Sequence, residues 1–474
     1  QGQGRVLAGG GPHPVALSVD ESKLAAGLAA VAKGDHEPTD AALAFKGITP
    51  TLTAGKDGHA LRTSEAPDAV TRAWPAASTI QLPVDLTAPD ITTAEAQLAL
   101  DTVAKPAVSS PITLRAGAKT APLTPDDIAA SLTFAPRDGA LAAVLDPGKL
   151  ARLTDERLAA LGAKEPVDAT VKMGASGKPV VVASKDGYGV EPQALASAVL
   201  PALTKTTDRV ADVTLTVVKP ALDTAAATKL GVKEITGEFS TVFPGKYPYR
   251  YVNIPKAASM INNTFLRPGD SFSLNDALGG ERTIAGGWAA GFGISEGSEV
   301  VTPGGGISQA TTTLYNAIFF AGLEDIEHKP HSLYFNRYPQ GREATLSWPD
   351  VDLKFRNDSP YGVLLQAWTT GHPGVDGTIT VRVWSTKVYD VKQANTVITN
   401  ARNVTGTKPT PDDSPTCVAQ EAADGFDIRF DRQFYQNGKL VKSVPYFWHY
   451  NTLLPTTCTN PAALKANQDL QQNP

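Results

Sequence analysis

The sequence predicts an α+β chain of several domains, the first two of them copies of one another. Three observations predict it: motifs in the N-terminal half recur at a spacing near 128 residues, composition shifts near Glu234, and both cysteines lie close to the C-terminus. With 474 residues, 42% hydrophobic and 19% charged, the chain has room for about two to four domains with substantial cores. A net charge of -5 argues against nucleic acid as a partner, because neutralising phosphates takes clustered Lys and Arg. No apolar run reaches the roughly 18 residues that a membrane span needs. Since the chain opens on Gln1 and not Met, an export signal or anchor removed from a precursor is expected, and membrane attachment only through such an anchor.

The duplication carries the first half. Asp20 and Leu24 of V-D-E-S-K-L align with Asp146 and Leu150 of V-L-D-P-G-K-L, and Pro38 and Asp40 align with Pro166 and Asp168. The match continues through Lys56-Asp57-Gly58 and Lys185-Asp186-Gly187, each followed by a helix-like run, 66–74 and 192–203. A period this long indicates a duplicated domain, since solenoid repeats are shorter. Residues 24–32 have helical spacing, whereas 169–173 and 179–183 read as short strands around a Gly-rich turn and 213–218 as an edge-like strand. The expected domains are 1–92 and 139–230, joined by an α+β segment over 93–138.

Near Glu234 alanine-rich helix gives way to Gly, Asn and aromatic residues, which opens a mixed α/β domain over 231–408. Residues 409–474 form a small β segment. Its hairpin, 426–435 with 440–450, turns at Asn437-Gly438, a strong turn signal. Cys417 and Cys458, with Pro415 and Pro455 nearby, read as a staple; buried free thiols are the alternative. Closing a loop of about 40 residues would contribute roughly 4 kcal/mol and places the chain in an oxidising compartment.

The stretch from Gly304 carries the chemistry. Gly304-Gly305-Gly306 allows backbone angles closed to other residues and lets a substrate approach main-chain amides. From Ser308 the chain turns helical, with Ala310, Leu314, Ala317, Ile318 and Ala321 on one stripe and Gly322 placed to end it. Free N–H groups at such a helix start can hold an oxyanion, so Ser308 is a candidate nucleophile; it is equally a candidate N-cap. His331 in K-P-H-S is the candidate base, with a structural hydrogen-bonding role as the alternative. Arg342 could clamp a carboxylate bidentately or sit in a salt bridge. No Cys/His/Asp/Glu set has metal-ligand spacing around His328 and His331, so neither metal nor cofactor is expected.

Residues 234–368 resemble the VanW domain along its length. The matching blocks are F-S-T at Phe239, R-Y-V-N-I at Arg250, P-G-D-S-F-S-L-N from Pro268 and G-G-E-R-T from Gly279. They continue with G-G-G-I-S-Q from Gly304, T-T-L-Y-N from Thr312, A-G-L-E at Ala321, P-H-S at Pro330, P-Q-G-R-E-A from Pro339 and D-L-K-F-R-N from Asp352. The duplicated domains resemble the peptidoglycan-binding repeats that often precede VanW domains. The resemblance implies a bacterial extracytoplasmic cell-wall protein that binds peptidoglycan stem peptides, with Gly304, Gly305, Gly306, Gln309, Arg250 and Asn253 at the binding site. Some family members are thought to be L,D-transpeptidases with a Cys where this chain has Ser308. A serine needs an adjacent base where a thiol is partly ionised. Three explanations stay open: this branch uses serine, it has lost acyl transfer and only binds or scaffolds, or a native residue was replaced.

Overall fold

The computed structural model describes residues 18–74, 76–295 and 298–472, so the first seventeen residues of the first expected domain lie outside it. The architecture is α+β. Two compact units emerge: residues 1–165 with 186–218, and residues 166–185 with 219–474.

Inside the N-terminal unit the aligned aspartates have matching jobs. Asp20 caps helix Glu21–Val31 by accepting from the Lys23 amide, and Asp146 caps helix Pro147–Leu161 by accepting from Lys149. Strand Gly58–Leu61 pairs antiparallel with Val84–Thr87, as Gly187–Gly189 does with Thr216–Val218. Helices Ala66–Ala73 and Pro192–Val199 follow the first strand of each pair. Asp40 accepts from the Ile91 amide at 2.8 Å; its counterpart Asp168, in the C-terminal unit, accepts from Leu222 at 2.9 Å. Residues 93–138 carry helix and strand, as expected of the segment between the copies, and contribute to the unit's core. Strands Ile112–Ala116 and Lys119–Leu123 pair, Val210–Asp212 joins them in parallel, and Ile112, Leu114, Leu123 and Ile128 sit in one core with Leu150 and Leu195. Of the strand expected over 213–218 only Thr216–Val218 is a strand; residues 213–215 are irregular and separate it from Val210–Asp212, which pairs with a different partner.

The division between units cuts through the second copy. Hairpin Thr170–Met173 with Pro179–Val182 belongs to the C-terminal unit, where Val171 packs with Leu364 and Trp384. The first copy's hairpin, Ala42–Lys46 with Thr49–Thr53, packs Leu43 with Ile91, Leu100 and Leu141.

The C-terminal unit buries a helix between two sheets. One sheet runs Glu234–Phe243, Gly377–Ser385, Val363–Thr370 and Phe265–Leu266, antiparallel throughout. The other runs Asp390–Arg402, Gly425–Gln436 and Lys439–Tyr450. The final hairpin turns at Asn437 and Gly438, both at positive φ, as its Asn-Gly pair dictates. Its first strand pairs with Asp390–Arg402, so residues 409–474 share a sheet with residues assigned from sequence to the preceding domain. Cys417 and Cys458 are joined in a disulfide, the staple the sequence indicated.

Between the sheets lies helix Ser308–Ala321, with Leu314, Ile318 and Phe319 against Val381 and Val383 on one side and Phe430 on the other. It has no solvent face. Residues 309–319 are all buried, against the single apolar stripe read from sequence. Its hydroxyls make this possible: Thr311 donates to the Ile307 carbonyl and Thr313 to that of Gln309, while Thr312 reaches the carbonyl of Ala344. At its far end Gly322 is left-handed, and the buried Arg432 guanidinium donates to the carbonyls of Ile318, Phe319 and Leu323.

Candidate functional site

The tri-glycine segment enters this helix through geometry only glycine supplies. Gly304 and Gly306 have φ of +79° and +81°, and a Cβ on Gly305 would lie 2.2 Å from the backbone of Gly291. The loop's own amides are not open to a ligand as the sequence suggested. Gly304 donates to Ala289, Gly305 to Thr302 and Gly306 to Phe292. In the first turn Gln309 donates to Gly306 and Thr311 to Ile307, whereas the amides of Ser308 and Ala310 have no acceptor among the described residues.

Ser308 is the first residue of the helix, one past the cap position held by Ile307. Its half-buried hydroxyl lies 3.4 Å from that of Thr345. His331 is buried, at 4% exposure, and its Nδ1 donates to Glu343 Oε2 at 2.6 Å. Among the described residues no hydrogen bond joins Ser308 to His331. The two are linked indirectly: His331 stacks on Tyr338, whose hydroxyl donates to Gln309 Oε1 at 3.2 Å.

Glu343 is fully buried and accepts from the Tyr450 hydroxyl as well as from His331. Burial and the Glu343 charge push the Tyr450 phenol far above the usual tyrosine range, so it stays a donor at any working pH. The carboxylate fixes the imidazole's orientation and tautomer, leaving Nε2 to accept a proton, the arrangement that orients a general base. Sequence reasoning missed Glu343, Tyr338 and Tyr450. Glu343 stood inside the recognised P-Q-G-R-E-A block; an acid flanked by Arg342 and Ala344 was the available signal.

Arg342 does not serve as a carboxylate clamp. Its Nε donates to Gln393 and its Nη1 to Asn316, both at 2.5 Å, and its guanidinium lies over Phe320. Burial pulls its pKa down to about 10, so it remains a cation held by structure. Asn253 is engaged too. Its Nδ2 donates to the carbonyls of Ala289 and Gly305, and its Oδ1 accepts from the Ala289 amide. Gln309 Nε2 donates to Val242. Arg250 lies against the glycine loop, its Cγ 3.3 Å from where a Cβ on Gly306 would be.

His328 belongs to a separate cluster near the helix's other end. It donates to Asp325 at 2.7 Å, and the hydroxyls of Tyr315 and Tyr446 converge on the same oxygen.

A helix between two sheets is thus entered through a tri-glycine loop and flanked by a buried imidazole–carboxylate pair. Residues 249–384 match the family profile described as "VanW like protein", so the chain carries a VanW-like domain. It is also similar to the uncharacterized protein YoaR of Bacillus subtilis (strain 168), 29% identical over 171 residues. That similarity covers 36% of this chain and 54% of YoaR, about half of the relative's length. No solved structure matches the chain significantly. No helix among the described residues is long and apolar enough to cross a membrane.

Proposed function

We propose that the chain is an extracytoplasmic cell-wall protein whose VanW-like domain recognises peptidoglycan stem peptides at the Ser308 end of the buried helix. The observation that supports this most is the unfilled hydrogen-bonding capacity there. Two first-turn amides, those of Ser308 and Ala310, have no acceptor beside a half-exposed hydroxyl, whereas the neighbouring amides are matched. Export fits the disulfide, which persists in oxidising compartments.

The Ser308 hydroxyl faces that of Thr345, and no hydrogen bond joins it to His331 among the described residues, which favours recognition over turnover. A second reading, acyl transfer at residue 308, is favoured by one observation: the 2.6 Å Glu343–His331 pair has the geometry that orients a general base. The test separates the two. Stem peptides should bind the wild-type protein and Ser308→Ala alike, without adduct. Ser308→Cys should give a thioester visible by mass spectrometry only if a bound peptide carbonyl reaches residue 308. Wild-type turnover of a stem peptide would replace recognition by catalysis, and absence of any stem-peptide binding would end both.

A further inference from the structure

Arg250 is 5% exposed, yet it has no acidic partner among the described residues. Its Nε is buried without any hydrogen-bond acceptor, and its Nη1 reaches only the amide oxygen of Gln309, at a long 3.5 Å. The remaining neighbours of the guanidinium are the faces of Tyr247 and Tyr249, 5.6 and 5.7 Å from their ring centres. Tyr249 is itself fully buried, and its hydroxyl makes no full hydrogen bond, with Arg250 and the Phe292 backbone as its polar neighbours. Elsewhere the guanidinium ends are engaged: the buried Arg432 by helix carbonyls, the half-buried Arg342 by Gln393 and Asn316, and the buried Arg209, whose Nε also lacks a partner, through Nη1 and Nη2 to the carbonyls of Pro106, Ala107 and Lys205. A desolvated cation with an idle donor is costly, and an anion is the group that would relieve it.

Its position says which anion-binding groups would cooperate. The guanidinium carbon lies 3.5 Å from the place a Cβ on Gly306 would occupy, so it faces the first turn of the fourteen-residue helix that begins at Ser308. The open amides of Ser308 and Ala310 and the positive end of the helix dipole are at that turn. Because Gly306 has no side chain, nothing from the loop crowds the guanidinium there.

We propose that Arg250, with the Ser308 and Ala310 amides and the Tyr249 hydroxyl, forms a carboxylate-binding site, and that the carboxylate is the C-terminal one of the stem peptide. The identity of the peptide rests on the reading given above; the anion site does not. Arg342, the guanidinium that its sequence context suggested, is thereby replaced by one 92 positions earlier in the chain.

The experiment compares ligands on the intact protein, with 15N-arginine labelling so that the Arg250 Nε–Hε resonance reports the site directly. The probes are a stem tetrapeptide as free acid, the same peptide as C-terminal amide, N-acetyl-D-alanine and inorganic phosphate. The free acid should bind about ten- to a hundredfold more tightly than the amide and shift the Arg250 signal, and Arg250→Gln should erase that preference. Acid and amide binding equally, with the Arg250 signal unmoved, would overturn the carboxylate site while leaving stem-peptide recognition in place. A shift with N-acetyl-D-alanine or phosphate but with neither peptide would keep the anion site and overturn the stem-peptide occupant. No response to any probe would overturn both. The acid–amide comparison uses unmutated protein, so a folding defect in the variant cannot obscure it.

Discussion

Replacing Asn253 by alanine tests whether this side chain is a framework part or a ligand contact. It is fully buried, and it makes three bonds to backbone, at 2.9 and 3.0 Å to the carbonyls of Ala289 and Gly305 and at 2.8 Å from the Ala289 amide. At about 1 kcal/mol net per bond the loss is about 3 kcal/mol. Stranding the Ala289 N–H and the Gly305 carbonyl adds about 1 more, since the Ala289 carbonyl keeps the Gly304 amide, and the better helix propensity of alanine returns roughly 0.5. The expected destabilisation is therefore about 3–4 kcal/mol. Urea unfolding followed by tryptophan fluorescence suits the measurement, because Trp288, Trp348, Trp368, Trp384 and Trp448 lie in the C-terminal unit and only Trp74 in the other. The midpoint should fall with the slope unchanged. A variant within about 0.5 kcal/mol of wild type that binds stem peptide less well would refute the reasoning and make Asn253 a ligand residue.

Arg342→Met should lose about 3 kcal/mol, from two charge-assisted bonds and its aromatic stacking, without changing the acid–amide preference of stem-peptide binding; an altered preference would return it to the site. Gly305→Ala should cost about 3 kcal/mol or more, because the new methyl meets the Gly291 backbone and not a side chain that can swing away; a thermal midpoint matching wild type would show that the loop relaxes. Burial alone would raise the pKa of Asp325, but hydrogen bonds from His328 and Tyr446, with the charges of His328 and Arg432, hold it below the usual carboxylate range. The ionised form is thus the stabilising one, fully so above the unfolded value and lost as pH falls through the lower folded value. The stability difference between wild type and Asp325→Asn, from denaturant titrations at several pH values, should shrink as pH drops below about 4; a difference that is flat or grows would contradict it. The Cys417→Ser, Cys458→Ser double variant should lose about 2–4 kcal/mol in the same unfolding assay, and no change would mean the bridge stabilises nothing.

Local signals were legible in the sequence. Asn437-Gly438 placed the final hairpin, Asp20 and Asp146 marked two helix starts, and the tri-glycine run located the entry to the central helix. What failed depended on distant partners. The 308–321 helix reads as carrying a single apolar stripe, yet the hydroxyls of its threonines bond to nearby carbonyls and leave the helix free to be buried on every side. Arg342 was read from its charge, while Gln393 and Phe320 decide its role from elsewhere in the chain. Glu343 sits in an irregular stretch between strands, where no periodicity separates a buried acid from an exposed one.

The hairpin of the second repeat also sets a schedule for folding. Whether the chain leaves a ribosome or a translocation pore, residues 166–185 emerge long before the strands that cover them. Val171 must wait for Leu364 and Trp384, about 190 to 210 residues later in the sequence. At cellular synthesis rates that delay is about 10–40 s, far longer than the microseconds in which a hairpin closes. During it, a two-stranded ribbon of valines stands without its docking surface, and such ribbons are marginal by themselves in water. Folding helpers that hold this segment, or a neighbouring copy that pairs with it, would therefore act in that interval. A piece of the protein cut at residue 231 would lack the hairpin altogether, and would present Leu364 and Trp384 to solvent.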